Sequence, residues 1–434
     1  MSHVARAGRP VWALHVLIVG LALHNLVMSE LWRAGVRGAA LTVVAAWKDV
    51  LLIAALGLVV WARRGLPFKA TSCDWLALAF GAFIVLYGVL PQSWLGGGAT
   101  HKGVLYAARH DLLPVGAYFL GRGLELTESE RARLCRTVLA VACVVAVAGL
   151  VDVFAVPLSF WRESAGWFRD QLGLRYVGLS GLPENFVYNS GNGVVFRRLT
   201  STFLSPLATS YLLVAALFFV PLRRRWGMAL ALLLVAALLF THTRSALLAL
   251  VLGLLVLAAR RRAWRPAFYA LAVVVVSFAF VKGYDHVAPR THLTASELRT
   301  QERIAKQHPT ASHDPTSAGE SSTTEHLASL RDGVTTVAHH PWGFGLGNSG
   351  VTAARTHVDV KAGESTYTEL GVEVGLLGAL VFVVWSLSLL RVTLARRPWL
   401  GAAFASMLVL GLQTDVIGVP WVAVAVWSLA ADSA

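Results

Sequence analysis

Apolar runs of about 15 to 20 residues recur along this chain from end to end, and each is long enough to cross a ~30 Å hydrocarbon layer as a helix. They lie at 11–28, 38–61, 74–91, 103–121, 137–156, 204–222, 226–241, 245–259, 266–282, 366–390, 399–413 and 415–431. Of 434 residues, 56% are apolar and only 14% charged, with a mean hydropathy of +0.61. That is roughly half the charged fraction of soluble proteins, so a string of soluble domains is excluded. The expected fold is all-α: a polytopic membrane protein with about 12 transmembrane helices and one large external, partly helical loop.

The net charge of +14 does not form a nucleic-acid-binding stripe. Basic residues fall instead as short clusters in alternate connections: Arg63, Arg64 and Lys69; Arg122, Arg131, Arg133 and Arg136; Arg223 to Arg225; Arg260 to Arg262 and Arg265; Arg391, Arg396 and Arg397. The positive-inside rule then sets the topology of a multi-pass plasma-membrane protein, with both termini cytoplasmic. Arg6 and Arg9 precede a first run too long and too like its successors to be a cleaved signal, so it is expected to stay as helix one. Cys73, Cys135 and Cys143 all fall at cytoplasmic or intramembrane positions, where no disulfide framework is expected. Three regions follow: 1–282 with helices one to nine and an external interfacial segment at 157–201, an external loop at 283–365, and 366–434 with helices ten to twelve.

Long loops in a compact protein are usually functional or disordered, so function is sought in the two external segments. In "PLSFWRESAGWFRDQL", Trp161, Ala165, Phe168 and Leu172 recur at helical spacing with Arg162 and Arg169 off that stripe, as in a helix lying in the membrane interface. "ENFVYNSGNGVVFRR" reads as a hairpin with its turn at 189–193, after which Ser205 and Pro206 form an N-cap and N1 pair. In the larger loop, 294–307 is expected as a short helix and "PTASHDPTSAGESSTT" as a polar, breaker-rich stretch. The stripe Leu327, Leu330, Val334 and Val337 predicts a helix over 325–339 packed on the membrane domain.

Several residues are candidates for chemistry. Arg244 in "FTHTRSALLAL" sits at an outer junction of two spans, and Arg197 and Arg198 reach the same face. Guanidinium groups bind phosphate oxygens through paired hydrogen bonds, so their convergence would make an external pyrophosphate site. The plainer alternative is contact with lipid headgroups or with carboxylates such as Glu184. Within spans lie Lys48 and Asp49, Arg109 and Asp111, and Asp415. Intramembrane ionisable groups are functional hypotheses by default; for Lys48 and Asp415 mutual ion pairing is the preferred reading, whereas Arg109 is placed to touch a lipid-linked anion.

"GFGLGNSG" follows no strand of a βαβ unit, which excludes a nucleotide loop. The loop histidines (His286, His292, His308, His313, His326, His339, His340 and His357) lack zinc-ligand spacing, and neither metal nor cofactor is expected. At the entrance to span ten, Glu364, Tyr367 and Thr368 reach the membrane surface, where a carboxylate could deprotonate a sugar hydroxyl. Glu364 equally suits a helix start, where the dipole favours an acid.

The order of these motifs resembles the O-antigen ligase and O-antigen polymerase superfamily, bacterial membrane glycosyltransferases of the GT-C type. The segments that carry the likeness are "FRRLTSTFLSPLATSYL", "THTRSALLALV", "RDGVTTVAHHPWGFGLGNSG" and "ESTYTELGVEVGLLG". The resemblance implies an undecaprenyl-pyrophosphate-linked glycan as donor, an acceptor glycan or lipid A-core-like acceptor, and inverting, metal-independent transfer on the outer face. Carried over by motif, Arg244 and Arg197 or Arg198 hold the pyrophosphate, with Arg109 a further candidate. The base does not carry over: where ligases commonly have His-Asn this chain has Glu364 and Ser365, and the nearest upstream histidine is His357. Glu364 and His357 are thus the candidate catalytic groups, with His340 and Tyr367 at the loop or acceptor site, and the departure leans away from a lipid A-core ligase toward a polymerase or another member with a glutamate at that place. The alternative from another class is a transporter or flippase of lipid-linked glycan; no internal repeat favours it.

Overall fold

The computed structural model describes residues 9–63, 70–172, 182–189, 194–291, 294–295, 298–299, 314, 316–317 and 321–434. The turn at 190–193, most of the expected helix at 294–307, most of the polar stretch after it, and His292, His308 and His313 lie outside the described residues. Each of the twelve apolar runs coincides with helix. The first nine become α1 (Val11–Arg33), α2 and α3 (Gly38–Ala45 and Trp47–Arg63, one run broken at Ala46), α4 (Ser72–Val89), α6 (His101–Leu124), α7 (Glu128–Ala155), α10 (Pro206–Leu217), α11 (Arg225–Phe240), α12 (Arg244–Arg261) and α13 (Trp264–Lys282). The last three are α17 (Thr366–Arg396), α18 (Pro398–Leu410) and α19 (Pro420–Ala431). Short helices α5 (Gln92–Leu95), α8 (Leu158–Arg162), α9 (Ala165–Leu172), α14 (Tyr284–Val287), α15 (Ser321–His339) and α16 (Gly350–Thr356) fill the connections. Among the described residues, six helices are long and apolar enough to cross a membrane by length and composition alone, and the protein is an all-α polytopic membrane protein.

Small residues bring the helices together, as expected where lipid competes for every apolar surface. Gly121 of α6 lies against the Ser428 backbone of α19, and Gly253 of α12 against Ser406 and Ala402 of α18. The last span starts later than its apolar run, because Pro420 at N1 sets the helix start. Asp415 therefore belongs to the connecting loop, where it accepts from the Gly418 amide at 3.1 Å.

The expected hairpin forms: β1 (Val187–Asn189) pairs antiparallel with β2 (Val195–Arg197), and β3 (Arg290–Thr291) adds a third strand that was not anticipated. The interfacial helix requires correction. It is broken into α8 and α9, and Trp161 and Phe168 pack on Phe186, Val187 and Leu204 in a secondary core rather than facing lipid. The Trp161 indole also donates to Asp152 at 2.7 Å. On α15 the stripe is displaced. Leu327 and Val334 are each 56% exposed, and the helix docks through His326, Leu330, Gly333 and Val337. Docking follows this face because a Cβ at Gly333 would touch Thr368 of α17, and Val337 fills the space above Gly371.

Helix α17 is interrupted once, at Gly375, with φ 72° and ψ 170°. Residues of "HHPWGFG" close the gap: the Leu376 amide donates to the Pro341 carbonyl at 2.7 Å, and the Phe344 amide to the Val372 carbonyl at 2.6 Å. A Cβ at Gly375 would lie 2.9 Å from the Trp342 carbonyl oxygen and from the Tyr87 hydroxyl. Gly375→Ala is therefore expected to cost at least ~2 kcal/mol through backbone strain and overlap, read as a lowered thermal midpoint in detergent. Gly57→Ala, with nothing within 4 Å of the added carbon, should leave the midpoint unchanged or raise it.

Candidate functional site

The hairpin delivers Arg197 and Arg198 to the loop end of the bundle, and adjacent residues of an extended chain point to opposite sides. Arg197 turns inward. Its Nη2 is 3.1 Å from Asp152 Oδ1, its Nη1 donates to the Val156 carbonyl at 2.8 Å, and only 2% of the residue is exposed. Thr200 donates to the other oxygen of Asp152 at 3.0 Å. With an internal carboxylate as its partner, Arg197 leaves the expected phosphate-binding group and acts as a clamp between α7 and the hairpin.

Arg198 turns the other way and caps the end of α11. Its Nε donates to the Thr241 carbonyl at 2.9 Å, and Nη2 reaches the His242 carbonyl and Thr243 Oγ1, each at 3.3 Å. Arg244, the first residue of α12, lies close enough for the two positive charges to oppose each other. Burial and Arg244 lower Arg198 to about 10, although Tyr284 works the other way. Beside both lies His242, with φ 50° and its ring packed at a tilt against Tyr188 (4.4 Å) and Tyr284 (4.2 Å). Burial, with Arg198 and Arg244 beside it, pushes His242 well below the ordinary histidine value. It is a neutral imidazole, and its Nε2 has no hydrogen-bond partner among the described residues.

The other half of the site comes from the large loop and the entrance of α17. Glu364, at φ 64° just before the helix, has Oε2 2.6 Å from His326 Nδ1 on α15. The hydrogen bond to His326 holds Glu364 below the usual carboxylate range, and the same bond raises His326. Arg244 lies within electrostatic reach of His326. Arg198, His242, Arg244, His326 and Glu364 are thus linked by hydrogen bonds or lie within electrostatic reach of one another, and the group combines two guanidinium groups with a carboxylate. Such a surface can hold a dianionic group and, beside it, orient and accept a proton from a hydroxyl.

The remaining sequence candidates go elsewhere. Arg109 is 2.8 Å from Asp49, and its charged neighbours are Lys48 and Arg355. Lys102 and Arg355 flank the Tyr106 ring at 5.5 and 5.0 Å. This is a second basic patch, so Arg109 does not join Arg198 and Arg244. Lys48 donates to the Ala45 carbonyl and lies 3.3 Å from His24. Tyr367 donates to the Leu408 carbonyl at 2.7 Å, and His340 Nε2 is 2.9 Å from the Leu95 carbonyl with its ring on Phe344. Tyr367 therefore ties α17 to α18, and His340 ties the large loop to α5. His357 takes the left-handed conformation that ends α16.

Sequence reasoning missed His326, His242 and the Tyr188–Tyr284 pair around it. It named Asp111 and Asp415 but missed the partners that join them in a buried cluster. His110 bridges Asp111 (2.7 Å) and Asp415 (2.8 Å), while Glu373 accepts from the Gly347 amide at 3.0 Å and Glu369 abuts Gly350. The signal lay in "ESTYTELGVEVG", where Glu369 and Glu373 share a helix face at a spacing of four.

The profile of a family described as O-antigen ligase matches residues 229–383. That span takes in His242, Arg244, His326 and Glu364, while Arg198 precedes it. A search of curated proteins finds no match to the chain.

The His326–Glu364 pair carries a pH signature. With the His326 value raised from 6.5, its contribution is complete below that value and is lost as pH climbs through the raised one. With Glu364 lowered from 4.5, its contribution is complete above that value and is lost as pH falls through the lowered one. Docking of α15 on α17 should be tightest between about pH 4.5 and 6.5. Rate-corrected hydrogen exchange in α15 should accordingly be slowest near pH 5.5 and faster by pH 8, by a modest factor because the pair is half exposed. His326→Gln should flatten this profile; a wild-type profile already flat would remove the pair from docking.

Proposed function

For a chain whose residues 229–383 match the O-antigen ligase family, we propose the transfer of a glycan from undecaprenyl diphosphate to a sugar hydroxyl on the outer face of the plasma membrane. The O-antigen ligase match supports a membrane glycosyltransferase of that type. The observation that carries the finer reading is the juxtaposition of Arg198 and Arg244 with the His326–Glu364 pair. The basic turns of the sequence support a topology with that end of the bundle outside and both termini inside.

In this mechanism Arg198 and Arg244 hold the diphosphate. The acceptor oxygen attacks the anomeric carbon from the face opposite the diphosphate, so the new glycosidic bond forms as the carbon–oxygen bond to phosphate breaks, with inversion. Negative charge grows on the leaving diphosphate, where cations fixed in advance stabilise the transition state more than the ground state. The proton of the acceptor hydroxyl goes to Nε2 of His326. Glu364 positions that imidazole through Nδ1, the part a carboxylate plays in carboxylate–histidine dyads generally. His242, neutral and packed against two tyrosines, offers a ring N–H to a phosphate oxygen without adding a third repelling charge.

Glu364→Gln keeps size and hydrogen bonding but cannot stabilise an imidazolium, and is expected to lower transfer ~10²–10⁴-fold in a reconstituted assay with lipid-linked donor. His357→Ala should cost far less; a Glu364→Gln protein with near-normal transfer would reduce that carboxylate to a helix-start residue. Arg244→Lys should lose most activity although the charge is kept, because an ammonium cannot reproduce the paired hydrogen bonds. EDTA should leave the wild type active. Cysteine introduced at Ser317 should react with an impermeant thiol reagent on intact spheroplasts and one at Arg224 should not; the reverse pattern would put the site in the cytoplasm.

A further inference from the structure

The end of the bundle opposite the loops holds a cavity that the transfer reaction does not use. It encloses about 490 Å³ between the first turns of α7, the connection from α10 to α11 and the start of α18, within the ~300–1,000 Å³ range of pockets that take small ligands. Its cationic rim is made by Arg131, Arg136 and Arg224, with Glu128 as the acid. Arg131 is already engaged, with Nε 2.5 Å from Asp432 and Nη1 2.6 Å from Glu128. The other two are not. Arg136 donates only to the Ala132 carbonyl at 3.3 Å, and the Arg224 guanidinium lies 5.7 Å over the Trp226 ring. Among the described residues neither has a carboxylate partner.

The opposite wall is apolar. Phe219 and Trp399 meet edge to face at 5.3 Å, and Trp226 is half exposed beside them. A soluble anion would leave that wall wet, and a zwitterionic headgroup would leave the two guanidinium charges unbalanced. A molecule with a phosphodiester at one end and hydrocarbon at the other matches both. Basic pockets between membrane helices are suited to such headgroups.

We propose that this cavity is a binding site for an anionic phospholipid, with Arg136 and Arg224 on its phosphate and Trp226, Trp399 and Phe219 on the first carbons of its acyl chains. Of the free cysteines, Cys135 lines the same cavity, so its alkylation reports occupancy in the unaltered protein.

The test uses the purified full chain in nanodiscs of phosphatidylcholine, with and without phosphatidylglycerol. Native mass spectrometry should find a retained phosphatidylglycerol in preference to phosphatidylcholine. The double variant Arg136→Gln, Arg224→Gln should lower that preference about tenfold or more. Arg261→Gln, Arg262→Gln, an equal loss of charge in another basic turn, should leave it unchanged. In the wild type, phosphatidylglycerol should slow maleimide alkylation of Cys135. Equal losses in the two double variants would mean diffuse surface attraction and overturn the site, as would alkylation of Cys135 indifferent to lipid charge. Because neither readout involves glycan transfer, this result is independent of the proposed activity.

Discussion

Backbone amides and carbonyls inside a membrane must find partners within the protein, and the break in α17 at Gly375 meets that demand by recruiting the loop. The hydrogen bonds from Leu376 to Pro341 and from Phe344 to Val372 replace those that the helix gives up, and Tyr87 of α4 takes the Trp342 carbonyl at 2.6 Å. A loop segment is thereby stitched into a membrane helix. Everything attached to it inherits a position: α15 enters from one side, α16 leaves from the other, and His326 is held against Glu364. The geometry of the candidate site rests on a helix defect some three turns below Glu364.

Bringing Arg198 and Arg244 together is costly, since each repels the other in a setting short of water. The fold offsets this with partial charges. Arg198 lies at the C-terminal, negative end of α11 and donates to the Thr241 and His242 carbonyls that directly follow its last turn. The imidazole beside the two arginines stays neutral. The Arg198 guanidinium is thus satisfied through backbone carbonyls rather than through a carboxylate, and keeps its charge. Arg197, one residue earlier, shows the contrast: paired with Asp152, its charge is spent inside the fold.

Much of the fold was legible because its signals are local. Every apolar run became helix, the Ser205–Pro206 start formed as read, with Ser205 Oγ accepting from the Ala208 amide, and the hairpin paired in the expected segment. The failures share a cause, which is that partners distant in sequence decide the outcome. Nothing near Trp161 announces that Asp152 and Phe186 will bury it, and the stripe on α15 was set by Gly333 and Gly371, residues that hydrophobic patterning ignores. In the site, Arg244 and Glu364 were identified from position alone. Choosing Arg198 over Arg197 required strand direction, and His326 could not be told from the other loop histidines without knowing which face of α15 meets α17.

The buried acids divide the labour of the site. Two glutamates a turn apart on a membrane helix would ordinarily mark an ion pathway, yet here both turn to the glycine-rich loop. Glu373 takes the Gly347 amide, Glu369 closes against Gly350, and His110 gathers Asp111 and Asp415. Carboxylates accept backbone amides well and guanidiniums cannot, whereas guanidiniums bind phosphate and carboxylates repel it. In the proposed function the same chain fastens a glycine-rich loop to its core and holds a diphosphate beside it, which calls for the two kinds of side chain at separate positions. The two sets are separate: Asp111, Asp415, Glu369 and Glu373 gather with His110 at the glycine-rich loop, while Arg198 and Arg244 stand at the junction of α11 and α12, so the acids that fix the scaffold are distinct from the arginines proposed to meet the ligand.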